Sequence, residues 1–299
     1  MIAIAVHGGA GRWPEAERRA AVAGVRGAAG EAWRILDQGG AALDAVVAAV
    51  AALENAPLFN AGTGSVLNAD GEVEMDASVM AGDTLASGGV ACIRRVKNPV
   101  LVARRVMEAT DCVLLAGEAA TAFAREQGFA DHDPVTVRRR AHWEAVRAQL
   151  ARPEGDGSAP GTVGAVAVDA SGRLAAATST GGRELKRPGR VGDSPVPGAG
   201  NYATAHAAVS ATGWGELMLR AACAKEIAGR IASGEEPRGA AAAVLGAMEE
   251  RFGAPIGVIC LDALGRVGIV HGTEGMPHAW RVEGEDAARA GFSVHVSSG

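Results

Sequence analysis

The run Gly161-Thr162-Val163-Gly164-Ala165-Val166-Ala167 sets a threonine at the head of a strand pattern, directly after a stretch of Pro, Gly, Ser and acidic residues. If the Gly161–Thr162 bond is cut, Thr162 gains a free α-amino group beside its own hydroxyl. An α-amine titrates at about 7.7–8, so near neutrality a usable fraction is unprotonated and can take the hydroxyl proton of the same residue. One residue then supplies both nucleophile and base. Taken alone, Thr162 reads as an ordinary β-branched strand residue, and it is the motifs downstream that overturn this.

Hydrolysis by such a nucleophile also requires fixed donors for the charge that develops on the attacked carbonyl oxygen. In Ala211-Thr212-Gly213-Trp214-Gly215-Glu216, Gly213 offers a backbone that a ligand can approach closely, although Thr212 could equally cap a helix. Arg190 and Asp193 lie in Gly189-Arg190-Val191-Gly192-Asp193-Ser194-Pro195, a loop composition. A guanidinium grips a carboxylate in a bidentate fork and a carboxylate accepts from an ammonium, so the two suit a zwitterion; the alternative is a surface ion pair of little worth. Thr180 in Thr178-Ser179-Thr180-Gly181-Gly182 could orient a nucleophile or end a strand with local hydroxyl bonds, and Asn60 in Phe59-Asn60-Ala61-Gly62 could serve a site or a turn.

Together with His7-Gly8-Gly9-Ala10-Gly11, these motifs occur in an order that closely resembles the plant-type L-asparaginase and isoaspartyl-peptidase family of N-terminal-nucleophile (Ntn) hydrolases, from about Ile2 to Gly275. The resemblance implies autocleavage at Gly161–Thr162, with Thr162 as nucleophile, Thr180 orienting it and Asn60 nearby. It implies an oxyanion hole from the Thr212 side chain and Gly213 N–H. The substrate α-carboxylate falls to Arg190 and the α-ammonium to Asp193, with Gly213 and Gly215 lining the substrate. Leu53 to Thr63 resembles the family's sodium loop, with carbonyls from Leu53, Glu54, Ala56, Phe59, Ala61 and Thr63 around a structural Na+. No cofactor is implied for catalysis, and the assembly implied is a homodimer of cleaved protomers.

Composition narrows the alternatives. A chain of 299 residues, 48% of them hydrophobic, can bury a large core without a metal or disulfide, and its small-residue content suits close helix-to-sheet packing. A net charge of −5 gives no reason to expect nucleic acid as partner. Arg138-Arg139-Arg140 reads as a solvated helix face beside Glu144. Cys92, Cys112, Cys223 and Cys260 are scattered, the histidines lack metal-ligand spacing, and neither a dinucleotide fingerprint nor a phosphate loop is complete. Ile2–Val6 is too short for a signal-peptide core and no apolar run reaches membrane-spanning length, so the expectation is a cytoplasmic protein with a small-molecule substrate.

The elements that must position these residues follow from periodicity. Strands are expected at Ile2–Val6, Glu72–Met80, Gly89–Val96, Thr162–Val168, Leu174–Ser179, Tyr202–Ser210, Gly257–Asp262 and Arg266–Val270. Helices are expected at Ala16–Leu36, Ala41–Leu53, Val100–Ala109, Glu118–Glu126, Thr136–Ala151, Glu216–Ala232 and Arg238–Arg251. Arg152–Gly161 reads as an exposed linker. Strands in hairpins separated by helix pairs give an α+β chain with two antiparallel sheets and outer helices. The resemblance sharpens this to a four-layer αββα sandwich, one domain built from segments 1–161 and 162–299.

Two departures from the family pattern bear on function. Pro160 stiffens the chain beside the bond to be cut. Pro277-His278 stands after Glu274-Gly275-Met276 where aromatic and basic residues are expected, which bears on the leaving-group side. The activity implied is release of aspartate from L-asparagine or β-aspartyl dipeptides. Its alternatives are a glycosylasparaginase on the same fold and a non-catalytic small-molecule-binding protein whose linker stays intact.

Overall fold

Strand Val163–Val168 carries side chains of small or β-branched residues on both faces, and both faces are buried. Val163, Ala165 and Ala167 pack in one apolar cluster with helical residues, while Val166 and Val168 join another shared with a second sheet. This two-sided burial organises the molecule, a computed structural model that describes residues 1–150, 161–253 and 256–293. Of the expected linker only Gly161 is described; the rest, Pro160 included, lies outside the described residues.

In chain order the elements are β1 (Ala3–His7), α1 (Glu15–Asp37), α2 (Ala42–Glu54), β2 (Met75–Ala81), β3 (Ser87–Ile93), α3 (Pro99–Ala109), β4 (Leu114–Ala116), α4 (Gly117–Glu126) and α5 (Val137–Leu150). The second segment gives β5 (Val163–Val168), β6 (Leu174–Thr180), β7 (Asn201–Ala203), β8 (Ala207–Thr212), α6 (Gly215–Ala221), α7 (Cys223–Ala232), α8 (Pro237–Phe252), β9 (Gly257–Asp262), β10 (Val267–His271), β11 (His278–Val282) and β12 (Arg289–Gly291). The larger sheet runs β12-β11-β1-β5-β6-β2-β3-β4 and the smaller β10-β9-β8-β7. Every pairing is antiparallel except β3 with β4.

α1 buries a stripe through Ala21, Val25, Ala28, Ala32 and Leu36, at the spacing that puts residues on one helical face. Its partner α2 is mostly Ala and Val, and small residues let it lie close to β5 and β6. A distant side chain caps α2: Asp169 Oδ2 accepts the Ala42 N–H at 3.1 Å. On the other side of these strands, β8 and β9 supply Ala208, Ile259 and Leu261 to the cluster between the sheets. α7 and α8 then cover the outer face of the smaller sheet through Ile227, Val244 and Leu245 against Val209 and Val258.

The expected elements are present with several corrections. Tyr202–Ser210 is not one strand: a turn at 204–206 divides it into β7 and β8. Glu216–Ala232 is two helices, broken at Ala222, whose φ of 47° is left-handed. Strand β5 starts at Val163, so Thr162 precedes the strand instead of opening it. The Arg138–Arg140 face is not uniformly solvated, because Arg139 is buried with its Nε donating to the Gly64 carbonyl at 2.6 Å. All four cysteines are unpaired. Among the described residues, no helix is long and apolar enough to cross a membrane.

Candidate active site

Strand parity brings the candidate residues together. Thr178 and Thr180 share the face of Ala176, and Ser210 and Thr212 that of Ala208, so they point into the gap between the sheets, and Thr162 leads into β5 two residues before Gly164, which faces Ser210 across that gap. Gly161 lies beside Thr212, since a Cβ on it would stand 3.4 Å from Thr212 Oγ1. From the turn after β1, Gly9 packs against the Gly161 carbonyl, and a Cβ on Gly9 would come within 2.6 Å of that oxygen. Gly161 therefore sits between the smaller sheet and the N-terminal turn.

The proposed oxyanion donors are held from behind. Thr212 Oγ1 accepts the Ala10 N–H at 3.2 Å, which fixes the oxygen and leaves the hydroxyl proton to be directed elsewhere. Gly213 follows with φ 137°, a conformation that L side chains rarely adopt, and it is exposed. The N-cap of α6 is Trp214, not Thr212, so the reading of Thr212 as a helix cap is excluded. Thr180 Oγ1 accepts the Gly182 N–H at 2.9 Å. Asn60 fastens its loop to the same exit: its Nδ2 donates to the Gly182 carbonyl at 2.8 Å, its carbonyl accepts the Gly181 N–H at 3.0 Å, and its Oδ1 takes the Val66 N–H at 2.9 Å.

Arg190 and Asp193 are neighbours at this end of the gap. The Arg190 Nε donates to Glu216 Oε1 at 2.9 Å, leaving the terminal nitrogens for another partner. Burial works against the Glu216 charge, but Arg190 outweighs it and holds that carboxyl below its ordinary value. Asp193 is buried and burial pushes its carboxyl up to about 7, against the pull of its own backbone N–H and Arg190. Its Oδ2 has no hydrogen-bond partner among the described residues. A buried carboxylate oxygen without a partner is costly unless a donor reaches it, and an ammonium is such a donor.

Sequence reasoning missed what holds this clamp. On one face of the β2 region, Glu74 Oε2 accepts the Gly189 N–H at 3.0 Å, Asp76 Oδ2 accepts the Gly192 N–H at 3.3 Å, and Ser78 Oγ donates to the Ser194 carbonyl at 2.5 Å. Three alternating polar residues thus pin the loop at three points. Their period-2 spacing was visible within Glu72–Met80, where an alternation of polar residues facing a buried layer is itself a signal.

Two further titratable groups, His7 and Glu54, are fully buried near these strands. His7 Nε2 pairs with Ser210 Oγ at 3.0 Å, and Ser210 with Thr178 Oγ1 at 2.8 Å. Burial drives the His7 ring down to about 3, with the Thr162 backbone pulling the other way and His278 adding to the fall, so the ring is neutral. Glu54 is fully buried, and burial pushes its carboxyl up to about 7 even though Ser179 Oγ donates to it at 2.7 Å, the Val100 N–H at 3.0 Å and Asn98 Nδ2 at 3.1 Å. His278 is buried in β11 with Nδ1 against the Met276 carbonyl at 2.7 Å, so it packs within the sheet.

In the 53–63 loop, the carbonyls of Leu53, Glu54 and Ala56 accept N–H groups from Ala56, Thr63 and Phe59 at 2.9–3.1 Å. Each keeps a second lone pair. A set made only of carbonyl oxygens suits a hard cation, and among the described residues no cluster of His, Cys, Asp and Glu competes as a metal site.

The chain has recognisable relatives. The asparaginase family matches residues 1–289. The chain is 46% identical to the plant-type L-asparaginase of Thermococcus kodakarensis, over 97% of this chain and 100% of the relative. It is 45% identical to the isoaspartyl peptidase/L-asparaginase of Xenopus laevis, over 88% and 86%, and 42% identical to the isoaspartyl peptidase of Salmonella typhimurium, over 94% and 96%. A match spanning both sheets, the threonines between them and the Arg190–Asp193 loop assigns the whole molecule at once: the chain belongs to the asparaginase family.

Proposed function

We propose that the protein is an amidohydrolase that releases L-aspartate from L-asparagine and from β-aspartyl dipeptides. The observation that carries this reading is the buried Asp193 carboxylate, unpartnered at Oδ2 and beside Arg190, at the end of the gap that holds Thr162. A free α-ammonium and α-carboxylate on one carbon answer both groups, and an aspartyl unit linked through its side chain keeps both free.

Maturation comes first. Thr162 Oγ1 attacks the Gly161 carbonyl, the acyl group moves from nitrogen to oxygen, and water cleaves the ester to leave a Gly161 carboxylate and a Thr162 amine. In turnover the amine takes the Thr162 hydroxyl proton as Oγ1 attacks the substrate β-carbonyl. Thr212 and Gly213 donate to the oxyanion, the departing nitrogen of the substrate takes the proton held by the Thr162 ammonium, and water releases aspartate from the β-aspartyl ester. Segments 1–161 and 162–299 then form one αββα sandwich of the Ntn type, supported by apolar clusters outside and between the two sheets. A structural Na+ on the carbonyls of Leu53, Glu54, Ala56, Phe59, Ala61 and Thr63, a homodimer and a cytoplasmic setting complete the proposal.

Intact-mass analysis and released aspartate test it together. Fragments 1–161 and 162–299 are expected, with hydrolysis of L-asparagine and β-aspartyl-leucine but not α-aspartyl-leucine. A clear preference for glycosylasparagine hands the assignment to a glycosylasparaginase. An intact chain that hydrolyses none of the four is a binding protein.

A further inference from the structure

Trp214 and Arg183 stand at the mouth of the site, and neither has a part in the chemistry above. Trp214 is the only exposed aromatic among the described residues, 47% accessible. It is flanked by Gly213, the oxyanion donor, and Gly215, whose backbone abuts Arg190 and Asp193, and consecutive Cα atoms are only about 3.8 Å apart. An indole on that stem cannot leave the rim. Arg183 arrives from the other sheet, directly after Gly182, which is tied to Thr180 and Asn60. Its guanidinium carbon lies 5.4 Å from the centre of the Trp214 ring, within cation–π range.

Arg183 also forms a loose ion pair with Glu216, whose Oε2 makes no hydrogen bond among the described residues. That contact is 3.6 Å, longer than a hydrogen bond, and Glu216 makes its short bond to Arg190. The rim therefore offers an apolar plate and, beside it, a guanidinium held only by that loose pair, 55% of the Arg183 side chain being accessible. Asparagine could use neither, because its leaving group is ammonia. A β-aspartyl dipeptide could use both, because its leaving group is an amino acid with a side chain and a free carboxylate.

We propose that Trp214 and Arg183 form the leaving-group subsite for β-aspartyl dipeptides, the indole packing on the side chain of the departing amino acid and the guanidinium pairing with its carboxylate. This rests on the amidohydrolase reading and specifies its substrate: isoaspartyl dipeptides with an apolar second residue, in preference to asparagine.

The test compares kcat/KM for β-aspartyl-leucine, β-aspartyl-leucinamide and L-asparagine in the cleaved enzyme. Arg183→Ala is expected to lower turnover of β-aspartyl-leucine about tenfold, the scale of one charge-assisted hydrogen bond, and to leave the amide and asparagine within about twofold. Arg183→Lys should recover part of the loss. Trp214→Ala should lower both dipeptide substrates about fivefold and spare asparagine. Equal losses on asparagine and β-aspartyl-leucine would overturn the subsite, moving Arg183 to the shared aspartyl end, and so would unchanged kinetics in both variants. Wild-type enzyme that hydrolyses asparagine alone removes the subsite and keeps the amidohydrolase; wild type that hydrolyses neither removes both. Arg183 is half-exposed, so its variants report even if Trp214→Ala fails to fold.

Discussion

Gly215 and Asp193 meet so closely that a Cβ on the glycine would stand 2.7 Å from Asp193 Oδ1 and 2.9 Å from Arg190 Nη2. No larger residue fits without moving the buried carboxylate. Gly215→Ala is therefore expected to cleave normally and to lose at least about tenfold in kcat/KM on β-aspartyl-leucine, because a clamp displaced by a fraction of an ångström loses aligned, charge-assisted hydrogen bonds. Steady-state kinetics on mass-verified cleaved enzyme checks this. Unchanged kinetics would show that the substrate does not use Asp193.

The same carboxylate sets a pH dependence. Burial holds the Asp193 carboxyl up to about 7, and it must be ionised to pair with an ammonium, so kcat/KM is expected to rise as pH increases through about 7. In the proposed cleaved enzyme the Thr162 α-amine must also lose a proton to act as base, which works in the same direction and makes the acid limb steeper than a single ionisation. A profile from pH 5 to 9 measures this, and a flat acid limb would remove Asp193 from the ammonium site.

Glu54 gives a stability test. Its folded carboxyl is raised from 4.5 to about 7, so the folded state holds its proton more tightly than the unfolded chain. The associated stability is complete below about 4.5 and is lost as pH rises through about 7, a change on the order of 3 kcal/mol. Glu54→Gln, which keeps the neutral shape, should abolish that share of the slope and be more stable than wild type near pH 8. Denaturant unfolding of both proteins at pH 4.5 and 8 decides it; parallel changes would mean that Glu54 does not titrate.

Gly164 marks the tightest point between the sheets. A Cβ there would fall 1.9 Å from Ser210 Oγ and 2.6 Å from His7 Nε2, inside a buried network that has no room to relax. Gly164→Ala is expected to cost about 1–3 kcal/mol by overpacking, read as a lowered Tm. A Tm within the error of wild type would show that the His7–Ser210 contact can open freely.

What was legible in the sequence follows from how local each signal is. The stripe of α1 and the continuous apolar run of β5 are written within single elements, and both are present. The division at Ala222 was not legible, because no Gly or Pro announces it. β4 and β12 have three residues each, too few to show a period. Asn60, Thr180, Thr212, Arg190 and Asp193 could be named from motifs, but the residues behind them could not. Glu54 is named from the sequence only for its backbone carbonyl, and nothing local marks its carboxyl as buried until Ser179 and Asn98, distant in sequence, enclose it. Ser210 and Thr178 are ordinary strand residues until two sheets face each other.

The strand order has a last consequence. Reading across the larger sheet, β12 and β11 come from beyond Gly161, β1 from before it, β5 and β6 from beyond it, and β2, β3 and β4 from before it. The two segments alternate, so hydrogen-bonded seams between them run along β11–β1, β1–β5 and β6–β2. A nicked molecule holds together as long as the sheet does, and its fragments separate only by unfolding. Folding of the intact chain is unimolecular, whereas reassembly of the separated fragments is bimolecular and weakens on dilution. The proposed cleavage would therefore act as a ratchet: the molecule folds once as a single chain, and a melted, nicked enzyme would recover in proportion to how concentrated its two pieces are.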